Sequence, residues 1–235
     1  MAERELKVGG YTKFTSTDFP GLLAVVVFIQ GCPWRCGYCH NPHLQPRDTV
    51  PAIEWKDLLA FLATRAGLLD AVVFSGGEPT LDPALEDAMR SVKALGFKVG
   101  LHTAGIYPER LKQVLPLVDW VGLDIKTSFD AYDDVTGVAG SAIAAQAAAA
   151  IVLQSGVHYE FRTTIHPTLT TRQHIDTLTQ KLAGMGCQSY ALQAFRSVGC
   201  SSKDLIESNA ASPLDGELLS QVKPRFRQFT LRKAD

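Results

Sequence analysis

Short apolar runs rich in Val, Ile and Phe recur along the chain with segments of helical spacing between them. The runs are Leu22 to Ile29, Ala71 to Phe74, Lys98 to Leu101, Trp120 to Ile125, Tyr159 to Ile165 and Ser189 to Gln193. A continuous apolar run, without polar alternation, is the pattern of a strand buried on both faces. Apolar residues recur with helical period over Ile53 to Ala66, Pro83 to Leu95, Pro108 to Leu115, Ser141 to Gln154 and Thr171 to Gly184. Parallel neighbours in a sheet need crossover connections, which are usually helices, so this alternation predicts an α/β fold with a parallel sheet. Six units make a partial (β/α)6 barrel. Local punctuation agrees: Pro83 and Pro108 fall near the first turns of helices, and Gly67, Gly96 and Gly156 fall where helices should stop. In α/β folds chemistry gathers at the carboxyl ends of the strands.

At 235 residues the chain suits one domain, residues 1–235, with a core of about 18–196 and a C-terminal extension of about 197–235. The extension reads as a short helix followed by a basic, strand-like segment from Arg225. Lys7 to Thr15 reads as an extra strand or a covering loop. The apolar fraction of 46% is that of a protein with a substantial core. Lys and Arg total 23 against 24 Asp and Glu, a net charge of -1, which argues against nucleic acid or an anionic membrane surface as partner. The N-terminus carries charges of both signs and no apolar core of a secretory signal, and the longest apolar runs fall short of the roughly 20 residues that cross a bilayer. A cytoplasmic protein without a membrane segment is expected.

Three of the five cysteines, Cys32, Cys36 and Cys39, lie within eight residues directly after the first apolar run, while Cys187 and Cys200 stand alone. Such crowding suits metal binding or redox chemistry rather than a disulfide framework. The surrounding Gly31-Cys-Pro-Trp-Arg-Cys-Gly-Tyr-Cys-His-Asn-Pro is rich in turn residues, so the cysteines sit on a loop at a strand's carboxyl end. Three thiolates can each hold one iron of a cubane and leave a fourth iron open to substrate. A structural zinc site completed by His40 or His43 is the alternative this motif leaves standing. Cys187, beside a strand, reads as a small buried apolar residue, and Cys200 lies in a polar loop.

Cys-x3-Cys-x2-Cys with an aromatic residue, Tyr38, before the last cysteine resembles the signature of the radical S-adenosylmethionine (SAM) superfamily. Ser75-Gly-Gly-Glu-Pro79, after the second run, resembles that superfamily's second motif. Asp18-Phe-Pro-Gly21 and Tyr38-Cys-His-Asn-Pro42 resemble the glycyl-radical-enzyme activating group, and within it most closely the activating proteins of anaerobic ribonucleoside-triphosphate reductase, with pyruvate formate-lyase activating enzyme next. The resemblance covers roughly residues 8 to 196.

It implies a 4Fe-4S cluster on Cys32, Cys36 and Cys39. An electron from a flavodoxin- or ferredoxin-type reductant cleaves bound SAM, and the resulting radical takes a hydrogen atom from a glycine Cα of a partner enzyme. It further implies that Gly76, Gly77 and Glu78 meet the amino group of SAM, that Asp124, Lys126 and Arg162 lie around its carboxylate and ribose, and that Tyr38, His40 and Asn41 border the cluster and adenine. Other readings of these residues are a strand-to-helix turn for 75–79, a structural ion pair for Asp124, Lys126 and Arg162, and a tight turn for Asp18 to Gly21. His102 departs from the pyruvate formate-lyase activating pattern, which carries an aspartate beside a monovalent cation. Gln193 and Arg196 end the last run and are candidates to line the substrate opening. A small-molecule radical SAM enzyme and an iron-sulfur electron carrier are competing functions, although a carrier would normally close its cluster with four cysteines.

Overall fold

A computed structural model describes residues 5–233. Residues 1–4, on which the reading of the N-terminus partly rests, and residues 234–235 of the C-terminal segment lie outside the described residues. Eight strands form one sheet whose spatial order is the sequence order. They are β1 (Val8–Thr15), β2 (Ala24–Ile29), β3 (Ala71–Gly76), β4 (Lys98–Thr103), β5 (Trp120–Asp124), β6 (His158–Ile165), β7 (Ser189–Ala194) and β8 (Gln228–Arg232). β1 is antiparallel to β2, and every later neighbour pair is parallel.

The six expected strands are β2 to β7. The sheet is open, as a partial barrel requires, with β1 and β8 added at its two edges. Edge strands are covered on fewer sides, and both carry mostly partly buried or exposed residues, so they lack the continuous apolar signature of the interior strands. The segment expected to be a C-terminal extension thus rejoins the sheet through β8, which pairs with β7 from Ser189↔Gln228 to Gln193↔Arg232.

The helices are α1 (Trp55–Ala63), α2 (Leu85–Ala94), α3 (Pro108–Val114), α4 (Tyr132–Thr136), α5 (Ser141–Ser155), α6 (Arg172–Gly184), α7 (Lys203–Ile206) and α8 (Gly216–Val222). No helix among the described residues is long and apolar enough to cross a membrane. α4 and α7, of one turn each, are too short for the apolar period to reveal. One face of the strands, including Val25, Val27, Val72, Phe74, Val99, Leu101, Val121 and Leu123, packs with Leu58, Met89, Val92, Leu111 and Ala148 from the helices. Full burial of such a side chain contributes about 1.5–3 kcal/mol. On the other face Ala24, Val26, Ala71, Val73 and Trp120 form a smaller cluster with Phe19. The period-two alternation of strand side chains separates the two sets.

Candidate active site

The loop after β2 carries the three cysteines and is tied down by its own backbone. Gly31 N donates to Leu44 O (2.7 Å), Cys32 N to Gln45 O (3.0 Å), Cys39 N to Cys36 O (3.1 Å) and Arg35 N to Thr136 O (2.8 Å). Trp34 is buried edge-on against Tyr132, with ring centroids 5.7 Å apart. The loop therefore has a fixed shape, with Cys32, Cys36 and Cys39 as free thiols on the wall of a cavity of ≈ 470 Å³.

That cavity opens at the carboxyl ends of the strands. Besides the cysteines, its lining includes Asp18, Tyr38, His40, Gly76, Gly77, His102, Asp124, Lys126, Arg162, Gln193 and Arg196. Of the residues expected to meet the cluster or SAM, Glu78 alone is absent from the lining.

Glu78 stands apart from the other candidates. Its carboxylate, expected to accept from a ligand ammonium, is fully buried and is not among the residues that line the cavity. Thr80 N (3.1 Å), Thr80 Oγ1 (2.6 Å) and Thr103 Oγ1 (2.6 Å) donate to its Oε1, and Ala104 N donates to its Oε2 (2.9 Å). Four donors leave it little capacity for a further partner. Its work is to lock the 75–79 turn to the end of β4. Burial raises its carboxyl pKa, against the lowering effect of the Thr103 and Thr80 bonds.

The two glycines explain the approach of that turn to the cysteine loop. A Cβ on Gly76, whose φ is +115°, would sit 2.3 Å from Ile29 N, and one on Gly77 would sit 2.3 Å from Gly31 O. Neither distance is tolerable for real atoms, so glycine is required here by the neighbouring backbone. Gly77 N donates to Ile29 O (2.9 Å) and Glu78 N to Gly31 O (2.8 Å), which joins the two motifs directly.

Opposite lies a charged group. Arg162 Nε donates to Asp124 Oδ1 (2.9 Å), and Lys126 Nζ donates to Asp124 Oδ2 (3.2 Å). β5 ends at Asp124, and Lys126 lies two residues past the strand, its backbone N donating to Tyr132 Oη (3.1 Å). Burial would raise the Asp124 carboxyl, but Arg162 and Lys126 outweigh it and hold the group well below the usual carboxylate range. Burial likewise opposes the Lys126 charge, and Asp124 more than restores it, so its pKa lies well above the ordinary value.

His102 Nε2 donates to the Asp18 carbonyl oxygen at 2.8 Å, which assigns the proton to Nε2. Arg162 Nη1, 3.4 Å from the same nitrogen, is then a neighbouring charge rather than a second hydrogen bond. Burial and the Arg162 charge push the imidazole pKa down to about 3.

His40 lines the cavity, but its Nε2 donates to Arg196 O (2.9 Å) and its ring stacks on Phe195 at 5.8 Å. The ring thereby fastens the segment after β7 across the cysteine loop. His43, the other histidine offered for zinc, is exposed and outside the cavity lining. Among the described residues no three His, Cys, Asp or Glu side chains converge on one metal-ion position. One ion needs such convergence, whereas a cubane takes one thiolate per iron.

Burial, followed by the Glu78 charge, pushes the Cys32 thiol up to about 12, and burial also raises Cys36. Thiols in such surroundings ionise when bound metal supplies positive charge. The donor set and its setting thus fit an iron-sulfur cluster.

The sequence profile of the Radical SAM superfamily matches residues 26–180, well over half of the chain. The chain belongs to the radical SAM superfamily.

Radical SAM membership makes the chain a SAM-binding oxidoreductase, and the clustered cysteine triad is consistent with its 4Fe-4S site. Among relatives, a Methanocaldococcus jannaschii protein named as a glycyl-radical enzyme activating enzyme is 31% identical over 197 residues, covering 80% of this chain and 79% of that protein. A pyruvate formate-lyase-activating enzyme of Clostridium pasteurianum is 36% identical over 126 residues, covering 51% of this chain and only 52% of its own length. Streptococcus suis SuiB bound to its precursor peptide SuiA shares the fold with a TM-score of 0.67 at 16% identity, over 88% of this chain and 48% of that one.

Several cavity residues carried no sequence signal. Trp34, Gln45, Thr164 and the adjacent Arg232 and Lys233 line the same cavity. Arg232 and Lys233 arrive only because β8 joins the sheet, a pairing that no local pattern announces.

Cys200 lies against the cysteine loop, its Sγ donating to Gly37 O at 3.6 Å, and it is not among the cavity-lining residues. Cys187 is buried, as expected of a small core residue.

Proposed function

We propose that this protein is a glycyl-radical-enzyme activating enzyme whose partner is an anaerobic ribonucleoside-triphosphate reductase. The observation that carries the reading is one cavity whose wall joins the free Cys32, Cys36 and Cys39 to the Asp124, Lys126 and Arg162 group. The length of the match to a glycyl-radical activating relative supports the class. His102 supports the reductase over pyruvate formate-lyase, because a neutral imidazole beside a guanidinium replaces the aspartate of the latter's pattern.

In this reading residues 1–235 act as one domain in the cytoplasm, and a flavodoxin- or ferredoxin-type protein is the reductant. Cys32, Cys36 and Cys39 hold the cluster. When bound, the cluster supplies the electron that cleaves SAM reductively, and the outcome is removal of a hydrogen atom from a glycine Cα of the partner.

The chain's own residues orient SAM. Backbone groups of Gly76 and Gly77 face its methionine end, while Glu78 holds their turn in place from behind. Lys126 and Arg162 offer N–H groups to its carboxylate, and Asp124 accepts from its ribose while keeping both cations aligned. Tyr38, whose buried hydroxyl has no partner among the described residues, and His40 border the nucleoside side. The cavity walls exclude water from the reacting atoms.

The test mixes the reduced, cluster-loaded protein with SAM and the reductase without oxygen and records the electron paramagnetic resonance spectrum. A glycyl radical doublet is the expected result. SAM cleavage without a doublet removes the reductase as partner and leaves the enzyme class standing.

A further inference from the structure

The charges of the cavity are unevenly distributed. Among the described residues its acidic lining residues are Asp18 and Asp124, and both are engaged: Asp124 by Arg162 and Lys126, and Asp18 by the hydroxyl of Thr15 at 2.6 Å. At the carboxyl ends of β7 and β8 the lining carries Arg196, Arg232 and Lys233, with no acidic residue among them. Arg232 is fixed in place, bridging to Glu160 Oε1 (2.8 Å) and donating to Gln193 Oε1 (3.0 Å). Arg196 and Lys233 are exposed and have no ion-pair partner among the described residues.

A chain of net charge -1 thus gathers three cations on one side of its cavity mouth, and among the described residues only Arg232 has an acidic partner. Clefts lined by one sign of charge attract and orient the opposite sign. SAM does not need this rim, because Lys126 and Arg162 already stand on the cluster side. Exposed cations at the mouth are placed for the surface of a macromolecule rather than for an enclosed small ligand.

We propose that the rim formed by Arg196, Arg232 and Lys233 docks a carboxylate-bearing segment of the partner protein beside its reacting glycine. The proposal rests on the activating-enzyme reading and deepens it. Arg232 positions the rim through β8, and Arg196 and Lys233 supply the docking charges. The sheet-edge strand β8 therefore serves substrate selection.

Two measurements test it on the cluster-loaded protein. The first follows binding of two fluorescent peptides, Glu-Glu-Gly-Glu-Glu and Gln-Gln-Gly-Gln-Gln, to wild type and to an Arg196→Gln, Lys233→Gln double variant. Arg232 is left intact because Glu160 depends on it. Wild type should prefer the acidic peptide by about tenfold, and both added salt and the double variant should reduce that preference to about twofold. Equal binding of the two peptides to wild type, or an undiminished preference in the variant, overturns the proposal.

The second measures radical formation on the reductase over a range of reductase concentrations. The double variant should raise the KM for the reductase by about tenfold while kcat changes by less than about threefold. An unchanged KM overturns docking at the rim. If wild type forms no radical on the reductase, the functional reading fails, and the peptide pair still decides the charge preference of the rim.

Discussion

Asp124 on β5 and Arg162 on β6 are register partners in adjacent parallel strands, and Arg162 Nε reaches Asp124 Oδ1 at 2.9 Å. Parallel pairing of these two strand ends is what brings Arg162, distant in sequence, to the neighbouring Asp124 and Lys126 and makes one group facing the cavity. Asp124→Asn should leave Arg162 and Lys126 without a counter-charge and cost about 2 kcal/mol at pH 7, measured by urea unfolding of the cluster-free protein. A carboxyl held below its ordinary value of 3.8 stabilises the fold above that value and loses the contribution as pH falls through its lower folded value. The wild type and variant stabilities should therefore converge in acid. A gap that stays constant into acid would show that the Asp124 charge is not its source.

Cys36→Ala should abolish iron binding, brown colour and SAM cleavage together, because each of the three thiolates serves one iron. Cys200→Ser should change none of them, since Cys200 meets the loop only through Gly37 O. Iron analysis and product chromatography of the two variants separate ligand from neighbour. Retained SAM cleavage in Cys36→Ala would contradict the ligand assignment.

Gly77→Ala and Glu78→Gln should fail differently. The added methyl group has to displace Gly31 O, one residue before Cys32, so iron loading should drop severalfold. Glu78→Gln replaces an acceptor oxygen by an NH2 group amid four donors and should cost about 2–3 kcal/mol of stability. Its SAM affinity, measured calorimetrically in the folded fraction, should change by less than about threefold, because the carboxylate lies outside the cavity lining.

His102 should remain neutral from pH 8 down to pH 5, since its imidazole is pushed down to about 3. Its ring resonances in nuclear magnetic resonance should show no titration over that interval. With the folded value depressed, the unfolded chain takes up a proton as pH falls through 6.5 while the folded chain does not, so stability is lost on that side. Titration near 6.5 would refute the buried arrangement with Asp18 and Arg162.

The sequence by itself determined the parallel core and the cysteine loop, because both are written in local signals. Strands buried on both faces are continuous apolar runs, helices between them have their own period, and Cys32, Cys36 and Cys39 fall on one turn-rich loop within eight residues. Only the tertiary structure decided what each polar side chain faces. Glu78 stayed out of the cavity lining because Thr80, Thr103 and Ala104 offer it four donors from two segments, and Asp124 met Arg162 through the β5–β6 register. The sequence marked β1 and β8 as strand-like segments but left their place in the sheet open for the same reason. Their place depends on which neighbour's backbone they pair with, and that long-range choice brings Arg232 and Lys233 to the cavity without leaving a local period behind.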